Sequence, residues 1–357
     1  MMPSRLVGFV VVTLCLAGWS AVRAQEPAPK SPTRDSRSGD GVVEEGLSAK
    51  YPGDAGIERD PAVIFASEFE NGFAGWSSFN PKVSTAITDP ALVHFGKACC
   101  RTVATRGQDS GGDVNFNFPS GVDQVYWRFY CRFDKDTVMP HHFVQIRAIH
   151  DNYWPYAGKK PPGDKGFWTA IDVFQDRTWT FYTYWHQMHT WKPAPTGQNN
   201  DYYGNVFYPQ GQKPLTLDTW ICVEAMMKAN TVGKSDGELA LWIDGRLLGW
   251  WKPGTPVGTW SRDKFQTSGP YNTKPVPFDG FDFRSSPTVT INQVMLQWYV
   301  SDRVTGNAKT DRNTIYFDDV VVATTYIGPM VMPGGPAVKG AAGPTAAPPP
   351  GRATTDQ

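Results

Sequence analysis

Beyond the first two dozen residues, no segment is long and apolar enough to cross a bilayer, and no long stretch carries helical periodicity. The first absence argues against a membrane-spanning chain, the second against a helical bundle or an α/β layer fold. Net charge is missing as well, because 34 Lys and Arg balance 34 Asp and Glu. Without a global field the chain has nothing to draw nucleic acid or an anionic lipid surface, so any polyanion must be met by a local cluster. No internal repeat is found. Two catalytic signatures are also absent. One is Glu-x-Asp-x-x-Glu, which sets the two carboxylates of a retaining glucanase on one strand. The other is His-x-His, which would hold zinc on one face. Asp279 and Asp282 in FDGFDF have the wrong spacing for a carboxylate pair, so glycoside hydrolysis ranks third among the activities considered.

Cysteine is sparse, five in 357 residues. Cys15 falls within MMPSRLVGFVVVTLCLAGWSAVRA, which combines an early Arg, a short apolar run and small residues at Val22 and Ala24. That is the pattern of a secretory signal cleaved after Ala24, and it implies a secreted or periplasmic protein with no membrane attachment after cleavage. Cys99, Cys100, Cys131 and Cys222 remain, and four cysteines allow three disulfide pairings. Cys131 and Cys222 are candidates for a bridge if their strands are neighbours; the pairing stays open. Residues 25–61 are rich in Pro, Gly, Ser and charge and read as a disordered linker. Residues 329–357 read as a disordered Pro/Ala/Gly tail. The remainder, 62–328, is one domain's worth of chain, expected as a monomer.

What the domain has in quantity is short runs of β-branched and aromatic residues closed by Gly, Pro, Asn or Asp. Strands are predicted near 63–68, 98–105, 124–134, 142–149, 167–175, 178–187, 219–229, 238–249, 288–300 and 314–326, which makes an all-β sandwich of two antiparallel sheets with long loops. The plainest hairpin is ELALWIDGRLLGWW, with its tight turn at Asp244-Gly245.

Five of the six histidines lie between His141 and His189. Strict alternation in MPHHFVQIRAIH puts His141, Gln145 and Arg147 on one face. VYWRFYCRF puts Arg128, Tyr130 and Arg132 together, and FYTYWHQMH does the same for Tyr182, Tyr184 and His186. If the three rows share one concave sheet, they build a cationic, phenolic cleft. Such a cleft suits β-elimination from a uronic-acid polysaccharide, which needs the sugar carboxylate neutralised, a base for the adjacent proton and an acid for the departing oxygen. Arg128, Gln145, Arg147 and His141 are the candidates for the carboxylate, and Tyr184 and His186 for base and acid. Tyr130, Arg132, Tyr182, Glu224, Trp250 and Trp251 are candidates for substrate contact. The competing expectation is a non-catalytic carbohydrate-binding or adhesion module. Its support is the chain's 14 Trp and its aromatic loops at 152–166 and 191–212.

DGELALWIDGRLLG resembles the recurrent hairpin of concanavalin A-like lectin and glucanase sandwiches. FASEFENGFAGW and NTIYFDDVVVATTYIG resemble the opening and closing strands of secreted carbohydrate-active jelly rolls. In outline the chain resembles jelly-roll polysaccharide lyases of the alginate and glucuronan type, with VQIRAIH loosely similar to their Gln-Ile-His strand, although Arg147 stands where that pattern has His. The resemblance implies a concanavalin A-like jelly roll acting on polysaccharide without a catalytic cofactor. It also implies a structural calcium, for which position nominates Glu68, Glu70 and Asp319.

Overall fold

The computed structural model describes residues 46–154, 157–192, 201–305 and 308–334. The signal at 1–24, the linker to residue 45, part of the 191–212 loop and the tail from 335 lie outside the described residues.

Along the chain run β1 (Val63–Ser67), β2 (Ser78–Phe79), β3 (Ser84–Ile87), β4 (Cys99–Thr105), β5 (Gly111–Val122), β6 (Gln124–Phe133), β7 (Gln145–Ile149), β8 (Gly166–Val173) and β9 (Trp179–Tyr184). They are followed by β10 (Asn205–Phe207), β11 (Ile221–Lys228), β12 (Glu238–Ile243), β13 (Arg246–Trp251), β14 (Val257–Ser261), β15 (Lys264–Gln266), β16 (Val276–Pro277), β17 (Ile291–Tyr299) and β18 (Arg312–Ala323). The first sheet has the order β13-β12-β11-β6-β18-β4-β3, with β1 also on β18; the second runs β16-β14-β15-β10-β9-β8-β7-β17-β5-β2. Every pairing is antiparallel except β10 with β15.

Alternation explains why the sheets stack. On β6, Trp127, Phe129, Cys131 and Phe133 face inward and are fully buried. They meet residues of the second sheet, with Phe129 against Phe143 at 6.4 Å and Phe133 edge-on to Trp298 at 5.6 Å. Burying such rings is the main source of sandwich stability. The predicted hairpin forms as read: Asp244 (φ 49°) and Gly245 (φ 73°) are both left-handed, and Ile243 pairs with Arg246. Left-handed backbone at both central residues is what a type I′ turn requires.

The outer face of the first sheet is not open. Residues 46–60, read from composition as linker, form three 3-10 turns at Leu47–Lys50, Pro52–Asp54 and Ile57–Arg59. Leu47 and Ile57 join Tyr326 and Ile327 in covering Tyr126, Met226, Trp242 and Val321. The two terminal segments also bond to each other and to the sheet, through Gly53 N–H to Val331 O (2.7 Å) and Met330 N–H to the Tyr130 hydroxyl (2.9 Å). Gly46 is needed for this approach, since a Cβ there would sit 2.2 Å from the Ile327 carbonyl oxygen. The folded unit therefore starts by residue 46 and runs past 328.

That cover removes several residues from the expected cleft. Arg128 is fully buried, paired with Asp54 and donating to Ser48 Oγ at 3.0 Å and to the Asp319 carbonyl at 3.0 Å. Tyr130 stacks on His94 at 3.8 Å, and Arg132 pairs with Asp218 at 2.6 Å. Glu224 accepts the N–H groups of Ile327 and Gly328, both at 2.8 Å. On β13, Trp251 is buried against Phe181 and Phe207, and Trp250 donates to Glu238 at 2.8 Å with Lys252 over its ring. All six hold the structure together on or within the first sheet, and none lines a cleft with Gln145.

Burial raises Glu224 to about 7, against the two N–H bonds and Arg128, which pull it down. A folded value above the ordinary 4.5 means that folding favours the protonated acid. The associated stability is complete below about 4.5 and is lost as pH rises through about 7. Denaturant unfolding at pH 5 and pH 8 should show lower stability at pH 8. In Glu224→Gln that pH difference should shrink, even though the variant is less stable throughout. An equal difference in both proteins would remove Glu224 as its source.

β6 and β11 are neighbours, but Cys131 pairs opposite Ile221, and Cys222 opposite Tyr130. Cys131 thus joins the core between the sheets while Cys222 packs outward with Tyr130 and Met330. Opposite faces forbid a bridge without moving the backbone. The four described cysteines are buried free thiols.

Candidate functional site on the second sheet

The other two expected rows do share a sheet. Arg147 on β7 lies opposite Trp168 on β8 and Gln293 on β17. Trp168 is in turn opposite Tyr184 on β9, and Gln293 is opposite Asn117 on β5. One row across five strands therefore reads Asn117, Gln293, Arg147, Trp168, Tyr184. The next reads Asn115, Met295, Gln145, Ala170, Tyr182. Directly opposed residues share a face. Phe181 points the other way, into the core against Trp251, so both rows lie on the outer face of this sheet.

Arg147 is the centre of the arrangement. It is only 3% exposed, yet no ion pair holds it among the described residues. Its Nε donates to Gln145 Oε1 at 2.7 Å and its Nη1 to Gln293 Oε1 at 3.5 Å; Gln145 donates onward to Gln297 at 2.5 Å. Trp154 lies over the guanidinium at 4.2 Å, with Trp168 further off at 5.9 Å. Burial lowers Arg147 to about 10, offset in part by Asp113. Asp113 is itself raised by burial, against the pull of Gln297 and Arg147. A buried cation whose contacts are neutral amides and ring faces remains able to take an anion, and desolvation strengthens that attraction.

Across Trp168, one strand further along the same face, stand the phenols. The Tyr182 and Tyr184 hydroxyls are 3.5 Å apart, and Tyr184 stacks on Trp168 at 4.5 Å. Burial is the first cause that raises both, with the neighbouring Tyr184 adding to the shift of Tyr182. Both therefore stay protonated near neutrality, as a proton donor must. Tyr182 is partly exposed, whereas Tyr184 is buried to 2%.

The histidine in contact with the tyrosine pair is His142, which strict alternation excludes from that face. β7 begins only at Gln145, and Phe143 and Val144 before it are both fully buried, so strict alternation fails there. The break brings His142 onto the site face beside Tyr182, with His141 next to it at 4.7 Å and both rings against Tyr299. His142 Nδ1 is 3.1 Å from Asp172 Oδ2, Asp172 also accepts the Phe143 N–H at 2.8 Å, and the His142 ring lies 5.0 Å from Tyr182. The carboxylate orients the ring and leaves Nε2 as the nitrogen for exchange with a ligand. His141 stacks on Tyr299 at 5.1 Å and bonds Ser301 at 2.8 Å, one step outside. His186 follows β9, approaches Asp282 at 3.5 Å and packs against Gly163, away from the rows. Trp154 belongs to the aromatic 152–166 loop already noted, whereas Trp168, Gln293, Gln297, Asp113 and Asp172 were not anticipated. The polar alternation of INQVMLQWY, with Gln293 and Gln297 in phase, was the available signal.

Two loops lie over the site face. Gly158 and Tyr202 form a bridge between them, with Tyr202 N–H donating to Gly158 O at 3.2 Å, and Gly204 lies so close to Tyr182 that a Cβ would fall 2.4 Å from its ring. Next to Arg147 a groove of about 530 Å³ opens between Asn117, Asn152, Trp154, Asn292 and Gln293.

The acids nominated for calcium are placed differently from one another. Glu70 Oε1 accepts the N–H groups of Lys97 and Ala98, at 2.5 and 3.0 Å. Asp319 Oδ2 meets His94 at 2.5 Å. Glu68 is raised to about 7, first by burial and then by Asp319. Among the described residues no three His, Cys, Asp or Glu side chains are gathered to hold a metal ion.

No protein-family model and no curated protein matches the chain. Solved structures similar to it include alginate lyase vAL-1 from Chlorella virus, at 15% identity and TM-score 0.49, covering 73% of this chain and 99% of that one. The marine PL-14 alginate lyase from Aplysia kurodai has 12% identity and TM-score 0.48, over 73% and 99%. The endo-β-1,4-glucuronan lyase of the fungus Trichoderma reesei has 14% identity and TM-score 0.44, over 74% and 96%. At such identities the likeness is one of fold, and no residue role passes with it.

Proposed function

We propose that this protein is a lyase that cleaves a uronic-acid-containing polysaccharide by β-elimination on the outer face of its second sheet. The observation that carries the reading is Arg147, a buried guanidinium without a carboxylate partner among the described residues, held between glutamines on the same sheet face as two protonated tyrosines. In this reading a uronate carboxylate binds Arg147 with Gln145 and Gln293, which stabilises the negative charge that develops as the adjacent proton leaves. His142, oriented by Asp172, takes that proton, and Tyr182, backed by Tyr184, donates one to the departing glycosidic oxygen. The carbon–oxygen bond breaks as a carbon–carbon double bond forms, so the products are a free hydroxyl and an unsaturated uronate.

In this reading two of the three expected rows supply the cleft, and the role considered for Arg128 falls to Arg147 and its amides. Trp154 over the guanidinium means that substrate must displace this ring or slide beneath it from the neighbouring groove. The leader-like first 24 residues support export, where such polymers are met.

A second reading, a module that only binds sugar, draws on that same groove, whose Asn, Gln and Trp lining suits neutral hydroxyls. Absorbance near the ultraviolet band of the unsaturated product decides between them. The full chain should raise it on alginate or glucuronan. Retention on the immobilised polymers without any rise would establish the binding module instead.

A further inference from the structure

The face that carries the tyrosine pair continues across the second sheet to strands the proposed chemistry does not use. β10 links them: Val206 is opposite Tyr182 on one side and Lys264 of β15 on the other. Phe207, Phe181 and Phe265 form the matching set on the buried side. Tyr182, Val206 and Lys264 thus point the same way, and β14 adds Ser261 opposite Lys264 and Thr259 opposite Gln266. Two strand spacings separate Lys264 from Tyr182, about 10 Å, and four separate it from Arg147, about 19 Å, which is farther than a trisaccharide held at Arg147 reaches.

Here lies a second groove, of about 460 Å³, lined by Trp191, Ser261, Arg262, Asp263, Lys264, Gln266 and Tyr271. Its two rings are open to solvent, Trp191 at 41% and Tyr271 at 62%. Among the described residues neither Arg262 nor Lys264 has an ion-pair partner within 4.0 Å, so the exposed cations are unspent. Asp263, the one carboxylate of the lining, is raised by burial against the pull of these two. Arg262 also occupies the first central position of the two-residue turn between β14 and β15 with φ 57°. That position usually takes Gly, and a long charged side chain held there at a conformational cost is a pointer to use.

We infer that Arg262, Lys264 and Gln266, with Trp191 and Tyr271, form a distal site for a uronate residue of the same polysaccharide strand that reaches the tyrosine pair. The inference rests on the proposed polyuronate substrate but not on turnover. The cations and the amide meet the carboxylate and hydroxyls, and a ring takes the apolar face of the sugar. A chain spanning both sites is held by two anchors, so affinity rises with length once both are reached.

The test uses the full chain and calorimetric titration with trisaccharides and hexasaccharides of alginate and of glucuronan. The hexasaccharide of at least one polymer should bind more tightly than its trisaccharide. The double variant Arg262→Ala/Lys264→Ala should bind that hexasaccharide about tenfold more weakly and the trisaccharide unchanged. Trp191→Ala should act in the same direction. All three side chains are exposed or partly so, and an unchanged melting midpoint in the variants checks that folding is intact. A hexasaccharide that binds no tighter than the trisaccharide for either polymer would overturn the inference, and so would equal losses for both lengths in the double variant. Absence of unsaturated product with the length dependence intact would sink the lyase reading and leave the distal site standing.

Discussion

Arg128→Ala should cost about 3–5 kcal/mol of folding stability, because it leaves Asp54 as an unpaired buried carboxylate. The loss extends to Ser48 and to the carbonyl of Asp319, both of which the guanidinium holds at 3.0 Å. These partners come from the N-terminal turns and from β18, so the variant loosens the segment that covers the first sheet. The melting midpoint should fall on the order of 10 °C. Removing both charges, Arg128→Met with Asp54→Asn, should recover much of that loss, since a buried ion pair is expensive to break but often neutral to replace, and Asn suits the left-handed backbone of residue 54 (φ 54°). At a temperature where Arg128→Ala remains folded, its turnover should be close to that of the parent. Turnover lost in a folded Arg128→Ala protein would return Arg128 to the reactive site and contradict the geometry.

Arg147→Ala should show the opposite division. Removing a single charge-stabilising group at a reacting centre typically lowers kcat about 10²- to 10³-fold, and Arg147 is the only guanidinium in the two rows. Stability should hold or improve, because the alanine relieves a cation whose burial lowers it to about 10 with no ion pair among the described residues to repay the cost. Tyr182→Phe should lose roughly 10²-fold or more in kcat while still binding oligosaccharide, since the ring remains and only the proton donor is removed. Initial rates of unsaturated-product formation, set beside melting midpoints for each variant, check both expectations. An Arg147→Ala protein that keeps full turnover would remove the carboxylate-neutralising step from the proposal.

These two arginines are alike in the sequence. Both sit in strands with a polar alternate row, VYWRFYCRF and VQIRAIH, and alternation assigns both to a face turned away from the core. That much was correct. Alternation carries no information about which sheet a strand joins, and β6 and β7, although consecutive, lie in opposite sheets. The outward face of one is sealed by residues 46–60, whose composition looks unstructured because their few apolar residues, Leu47 and Ile57, follow no period. The strand β5 was missed for a related reason. GGDVNFNFPSGV is rich in Gly and Asn and contains Pro, and it is held by its ladder to β17 rather than by local propensity. His142 reaches the Tyr182 side because two consecutive residues, Phe143 and Val144, are buried, a break that no period-two pattern can foresee.

The sequence by itself determined the all-β sandwich, the Asp244-Gly245 hairpin and the row memberships of Gln145 with Arg147 and of Tyr182 with Tyr184. These follow from turn chemistry and the side-chain period of a strand, both local properties. Only the tertiary structure decided that Arg128, Tyr130 and Glu224 are covered by the terminal segments, that Trp251 is core, and that Arg147, His142 and Tyr182 share one face of the second sheet. Those outcomes depend on strand order and on what covers each face, which are set by contacts between residues far apart in the chain.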